Sequence, residues 1–185
     1  MAHESLKGRL LLAAPTLLDP NFFRTVVLVL EHSREGAVGL VLNRATDVQV
    51  VDTVADWSPL AAEPGVVFVG GPVSPDGAIG LARAPQPEEV DGWSPILPDL
   101  GTVDLGRAPS ELGVAFETVR VFVGYSGWGE GQLDGELEVG GWLVLDAVPD
   151  DVFTASPEDL WKRVLKRQGG TTAWLANSPV EPSLN

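Results

Sequence analysis

Residues 25–42 read TVVLVLEHSREGAVGLVL, two apolar runs at 25–30 and 37–42 joined by the polar link 31–36. Both runs are rich in β-branched residues and apolar at consecutive positions, so neither offers a face suited to water. That is the pattern of central strands covered on both sides. A link this short returns the chain to a neighbouring antiparallel position, so 25–42 is predicted to be a hairpin at the centre of a sheet. Just before it, Asp19-Pro20-Asn21 forms a turn, because Asp and Asn fold back on their own backbone and Pro fixes φ.

Working outward, residues 9–14 read as a strand stopped by Pro15, and residues 66–69 as another, broken by Gly70-Gly71-Pro72. A further strand is expected at 77–82. Residues 118–125 alternate as a half-buried strand, with Val119, Val121 and Val123 on one face and Arg120 and Phe122 on the other. Residues 142–145 (WLVL) form a buried strand. Val50, Val51, Val54 and Trp57 recur at helical spacing and predict a helix over 47–57, and 132–139 has room for two helical turns. The clearest helix is 157–169. Ser156 is its N-cap, Pro157 its first residue, Leu160, Trp161, Val164 and Leu165 its buried stripe, and Gly169-Gly170 its end. Pro85, Pro87, Pro95, Pro98 and Pro109 cut 84–115 into short edge or connecting pieces. The expectation is one α+β domain over 1–185, built on a mostly antiparallel sheet.

Composition narrows the chemistry. A chain of 185 residues can bury a full core without staples, and 21 Gly with 15 Pro favour short strands and turns over a helical bundle. The absence of cysteine excludes disulfides, thiolate metal sites and thiol nucleophiles. With only two histidines besides, a zinc hydrolase lacks its usual ligands. The net charge of −14 lies entirely in 51–150, where Arg83, Arg107 and Arg120 face seventeen Asp and Glu. Nucleic-acid binding needs clustered cations, and the one cluster, Lys162, Arg163, Lys166 and Arg167, falls in the last turns of a helix, where cations suit the macrodipole. Direct nucleic-acid binding is therefore not expected. The apolar run 10–18 follows Lys7 and Arg9, but Glu4, Pro15 and the lack of a small-residue cleavage site argue against a signal peptide. No run reaches membrane-spanning length. A cytoplasmic protein is expected.

Gly124-Tyr125-Ser126-Gly127-Trp128-Gly129 misses the G-x-S-x-G nucleophile elbow by one position, and a triad would have to borrow His3 or His32. The better reading is a glycine-permitted backbone, with Trp128 folded back as a packing anchor. Glu130, Asp134, Glu136 and Glu138 would repel a phosphate from this loop, and they lack the spacing of a calcium loop. Asp134 and Glu138, four apart, are expected on one solvated helix face. No metal and no cofactor is expected. Arg24, between Phe22-Phe23 and a buried strand, is expected to hold the 19–24 turn by pairing with a carboxylate or with loop carbonyls. Asn43 is expected to cap a turn.

The strings LKGRLLLAAPTLLDPNFFRTVVLVLEH, EGAVGLVLNR, GGPV, GYSGWGEGQLDGEL, Trp142, LWKRVL and the closing PSLN resemble the bacterial AlgH (YqgE) family over essentially the whole chain. The resemblance implies an α+β fold with a mixed, strongly bent sheet, partly closed like a small barrel and flanked by helices. It implies no established activity: members are described as uncharacterised, and some as transcriptional regulators after a role suggested in alginate control. Some members carry a cysteine considered functional, which this chain lacks. The leading expectation is a regulatory or binding protein acting on a protein partner or small ligand through Arg24, Asn43, Tyr125, Ser126, Trp128 and Gln132. The alternative is an enzyme with Asp or Glu as acid–base groups and Arg24 as an electrostatic clamp. Rigid sheets carry functional residues on loops at strand ends, so the 19–24 turn and the glycine loop are expected to meet in one site.

Overall fold

A computed structural model of the chain describes residues 4–85 and 89–179. The two apolar runs form β2 (Val26–Ser33) and β3 (Gly36–Val41), antiparallel, with Val27 opposite Val41 and Ser33 opposite Gly36. Three residues of the polar link extend β2, leaving Arg34 and Glu35 in the turn. On one side, β1 (Arg9–Ala13) lies between β2 and β10 (Trp142–Asp146). On the other side, β3 pairs with the last residues of β9 (Thr118–Trp128).

β9 is shared by both halves of the sheet. Up to Val123 it pairs antiparallel with β6 (Val73–Arg83) and parallel with β5 (Val66–Val69); after a register shift Tyr125 still pairs with Val73 of β6, and from Ser126 the strand pairs with β3. Gly124 sits at the change with a φ of +70°, and a Cβ there would lie 2.3 Å from the Gly71 carbonyl oxygen. Only glycine lets the strand turn this corner. Beyond β6 come β8 (Leu100–Val103) and the edge strand β7 (Trp93–Leu97), and β4 (Ala45–Gln49) pairs with β5. The ten strands make one curled, mostly antiparallel sheet, as expected of the α+β fold.

The curl explains why the central strands have no polar face. Inside it, Leu10, Leu12, Leu28 and Leu40 meet Phe68, Leu81 and Phe122 of the other half, closed off by Leu160, Trp161, Val164 and Leu165 of α3 (Leu160–Gln168). Outside, Leu11, Ala13, Val27 and Val41 lie under Trp128, Trp142 and Leu133 of α1 (Gln132–Glu138). Each fully buried leucine contributes about 1.5–3 kcal/mol, so both faces drive closure. A further outer cluster holds Trp57, Trp93, Leu112 and Val119.

Several expectations are corrected. Residues 47–57 are not one helix: β4 takes 45–49, and two 3-10 turns follow, Val50–Asp52 and Ala55–Leu60, the second containing Pro59. Pairing of β4 with β5 overrides the helical spacing of the valines. β9 is buried on both faces rather than half-buried, Arg120 included. The 84–115 stretch supplies edge structure as expected, but organised as the β7–β8 hairpin. The C-terminal helix opens with a 3-10 turn, Pro157–Asp159, and Ser156 makes no side-chain capping bond. Gly169, at φ +73°, ends α3, yet α4 (Gly170–Trp174) follows directly. A short α2 (Pro149–Val152) was not expected at all. Its Asp151 is buried and takes a forked pair of hydrogen bonds from Arg167, at 2.6 and 2.9 Å. His3, Pro87 and the closing PSLN lie outside the described residues. No helix among the described residues is long and apolar enough to cross a membrane.

Candidate functional site

The 19–24 turn is built by its own backbone. The Asp19 carboxylate accepts from the Asn21 amide at 2.8 Å, and the Asp19 carbonyl accepts from Phe22 and Phe23. Arg24 then takes a φ of +52°, a left-handed conformation that non-glycine residues seldom adopt. This reversal splits the turn's side chains between the two faces of the sheet. Phe22 goes outward, its ring centre 6.0 Å from that of Trp128 and 5.4 Å from that of Trp142. Arg24 goes inward, its guanidinium 4.7 Å from the centre of the Trp161 ring and its Nη2 donating to the Ser178 carbonyl at 2.5 Å. Among the described residues it has no carboxylate partner within ion-pair distance. Of the two expected kinds of partner, carboxylate or carbonyl, a carbonyl is found, together with aromatic faces, which accept a cation without bringing a second charge into the core.

Asn43 is committed to the backbone. Its Oδ1 accepts from Val26 N at 2.9 Å and its Nδ2 donates to Arg24 O at 3.0 Å, extending the β2–β3 ladder beyond the last strand residue. Ser126 is fully buried; its hydroxyl donates to the Gly70 carbonyl at 3.1 Å, an oxygen that also accepts from Val41 N. Tyr125 packs half-buried against the inner core. Trp128 donates its indole N–H to Glu136 at 3.0 Å, and Trp142 donates to the same oxygen at 2.8 Å. Gln132 spans this group, accepting from Gly129 N at 3.0 Å and donating to the other Glu136 oxygen at 3.1 Å.

The two loops therefore meet as expected, through Phe22 and Trp128. A single site joining Arg24 to Ser126 does not form. Ser126 is paired with Gly39 on the outer side with Trp128, whereas the Arg24 guanidinium lies in the inner core. The Arg24 guanidinium is instead engaged by the Ser178 carbonyl and the Trp161 and Phe23 rings. Asp134 and Glu138 share one helix face of α1 as expected, with Glu138 exposed and the Asp134 side chain 48% exposed, its carboxylate 3.8 Å from His32 Nε2. Within the basic cluster, Arg163 donates to the Thr154 hydroxyl and Arg167 to Asp151, so both serve the fold.

The chain's relatives fit this architecture. A family model described as AlgH-like matches residues 10–173. The chain belongs to the AlgH-like family. A UPF0301 protein of Streptomyces avermitilis is 51% identical over 186 residues, covering 98% of this chain and 96% of that one. A UPF0301 protein of Mycobacterium tuberculosis is 43% identical over 181 residues, covering 96% and 90%. Among solved structures, a Corynebacterium diphtheriae protein superposes with a TM-score of 0.88 at 30% identity over 96% of this chain and 95% of that one. The AlgH protein of Pseudomonas aeruginosa superposes with a TM-score of 0.68 at 28% identity over 97% of both. The curled sheet with few helices is thus shared with both of these solved structures.

One residue that sequence reading passed over stands out on this fold. Arg44 follows Asn43 at the corner between β3 and β4 and lines two adjoining cavities. One, about 510 Å3, is walled by Asn43, Ala45, Val69, Pro157 and Glu158; the other, about 70 Å3, by Asn21, Gly71 and Pro72 among others. The Arg44 guanidinium makes one hydrogen bond, a long 3.3 Å to the Phe23 carbonyl. Burial lowers its pKa from the ordinary arginine value, and the nearby Asp19 charge partly offsets this. Glu136 was likewise missed as a keystone. The signal lay in the i, i+4 spacing of Gln132 and Glu136, but the convergence of Trp128 and Trp142 on it is purely tertiary.

Proposed function

We propose that this AlgH-like chain is a non-catalytic regulatory protein of the cytoplasm that binds a small ligand in the groove beside Asn43 and Arg44. One observation carries the reading: a single cavity of about 510 Å3 combines apolar walls from Ala45, Val69 and Pro157 with one under-bonded guanidinium. Small-ligand sites are typically clefts of about 300–1,000 Å3, mainly apolar, with few polar groups to fix orientation. Arg44 thereby takes the place first assigned to Arg24. Asn43 shapes the corner rather than offering its amide. Ser126, Trp128 and Gln132 serve the framework through their own hydrogen bonds and do not line this cavity. The acidic surface supports action through a ligand or protein partner rather than by direct contact with DNA.

The test is a ligand-observed NMR screen of a defined metabolite panel against the whole chain and a Val69→Trp variant, whose indole fills the cavity. Binding to the wild type that is lost in the variant supports the reading. Hits that bind both proteins equally overturn it.

A further inference from the structure

We infer that the ligand of this groove is a monocarboxylate on a short apolar stem, with the Arg44 guanidinium receiving the carboxylate. The inference rests on the groove reading and adds the ligand's chemical class.

The starting point is how the arginines are satisfied. Arg83, Arg107 and Arg167 each hold a carboxylate, with closest contacts of 3.1, 3.4 and 2.6 Å. Arg120 lacks one but is enclosed, donating to the carbonyls of Thr154 and Glu63 over the Phe68 ring. Arg24 is enclosed by Ser178, Trp161 and Phe23, with its Nε buried and unbonded among the described residues. Arg44 is different. In a chain with 26 acidic and 12 basic residues, it has no carboxylate within ion-pair distance among the described residues. It makes one long hydrogen bond from five donors and borders cavities on two flanks. A partly desolvated guanidinium with free donors attracts an anion more strongly than one in bulk water.

The surroundings choose among anions. The guanidinium fork is planar and matches a carboxylate through two parallel hydrogen bonds. A phosphate dianion would need more positive charge than one arginine supplies. It would also face Glu158 on the cavity wall and the field of Asp19, which already bears on Arg44. The Asn43 amide on this wall is spent on Val26 N and Arg24 O, and the rest, Ala45, Val69 and Pro157, suits an aliphatic stem. One charge and one short hydrocarbon tail complete the complementarity.

The experiment uses three ligands with the same six-carbon stem: hexanoate, hexanamide and hexyl phosphate. Each is titrated into isotope-labelled full-length wild type, Arg44→Gln and Arg44→Lys, while the Ala45 and Val69 methyl resonances are followed. Hexanoate is expected to move both resonances and to bind the wild type at least about tenfold more tightly than hexanamide, a discrimination within the reach of one charge-assisted fork. Arg44→Gln should reduce hexanoate to the level of hexanamide and leave hexanamide unchanged. Arg44→Lys should fall between, because it keeps the charge and loses the fork. If hexanamide binds the wild type as well as hexanoate, or hexyl phosphate binds better, the carboxylate assignment fails while the groove reading stands. If none of the three moves Val69, both fail. Should Arg44→Gln not fold, the three-ligand comparison on the wild type decides alone.

Discussion

The guanidinium of Arg24 stacks 4.7 Å above the ring of Trp161, joining the turn before the central hairpin to the helix that closes the inner core. The indole N–H of Trp161 in turn donates to the Ala13 carbonyl at 2.9 Å, so one tryptophan ties β1, the 19–24 turn and α3 together. Trp161→Ala is expected to cost about 3–5 kcal/mol. Trp161→Phe, which keeps an aromatic face but orphans the Ala13 carbonyl, should cost about 1–2 kcal/mol. Urea denaturation monitored by circular dichroism reads both, and an unchanged midpoint for Trp161→Ala would refute the packing.

Two substitutions at Arg24 separate contact from backbone. Arg24→Ala removes the cation–π contact and the Ser178 hydrogen bond and is expected to cost about 1–2 kcal/mol. Arg24→Gly removes the same contacts but relaxes a φ of +52°. It should therefore be the more stable variant, by up to about 1 kcal/mol. The reverse order in denaturation midpoints would show that the turn is not strained there.

Glu136→Ala leaves two nearly buried indole N–H groups, of Trp128 and Trp142, without their acceptor. The expected loss is about 2–3 kcal/mol, with a red-shifted tryptophan emission as the outer cluster admits water. Glu136→Gln retains an acceptor oxygen and should lose less than half as much. Equal effects of the two variants would mean that the charge, not the acceptor, matters.

The glycines offer a contrast of position. A Cβ at Gly124 meets the Gly71 carbonyl oxygen at 2.3 Å, whereas at Gly131, also left-handed at φ +67°, nothing lies within 4 Å. Gly131→Ala should cost about 1 kcal/mol, from backbone strain alone. Gly124→Ala adds a backbone collision and should cost more than about 3 kcal/mol or prevent folding. Comparable melting temperatures for the two would show that the β9 corner does not have this close approach.

Burial pushes the Arg120 guanidinium down to about 10, still protonated at neutral pH. Arg120→Lys puts a group of lower intrinsic pKa in the same place and breaks the fork to Thr154 and Glu63. A loss of about 2–3 kcal/mol near pH 7 is expected. A buried ammonium binds its proton more weakly in the folded than in the unfolded state, so stability should rise as pH climbs through its folded pKa. Denaturation midpoints of Arg120→Lys should therefore rise between about pH 7 and pH 9 relative to the wild type. A parallel pH profile for the two proteins would contradict this.

Strands were legible in the sequence wherever alternation or an unbroken apolar run was local. The β2–β3 hairpin, β1, β5 and β10 needed only residue order and turn chemistry. The valines at 50, 51 and 54 misled, because helical spacing carries no information about the strand, β5, that captures the residues just before them. Residues 84–115 were opaque for the same reason: β8 is held by pairing to β6 and β7 by pairing to β8, with Pro95 tolerated in the edge strand and Pro98 in the turn between them. Of the candidate site, sequence gave the neighbourhood, the 19–24 turn beside the glycine loop, but not which residue faces a cavity.

By itself, the order of residues determined that this chain has no thiol chemistry, a net charge of −14 carried by its middle hundred residues, and a central hairpin with two covered faces. Those conclusions depend on composition and on periodicities of two or a few residues. Only the tertiary structure decided that Arg24 is locked inward against Trp161, that Ser126 is spent on the Gly70 carbonyl, and that Arg44 stands at a cavity with free donors. The physical reason is the curl at Gly124. It fixes which face of each strand is inside, and so whether a polar side chain meets a carbonyl, a ring or open space.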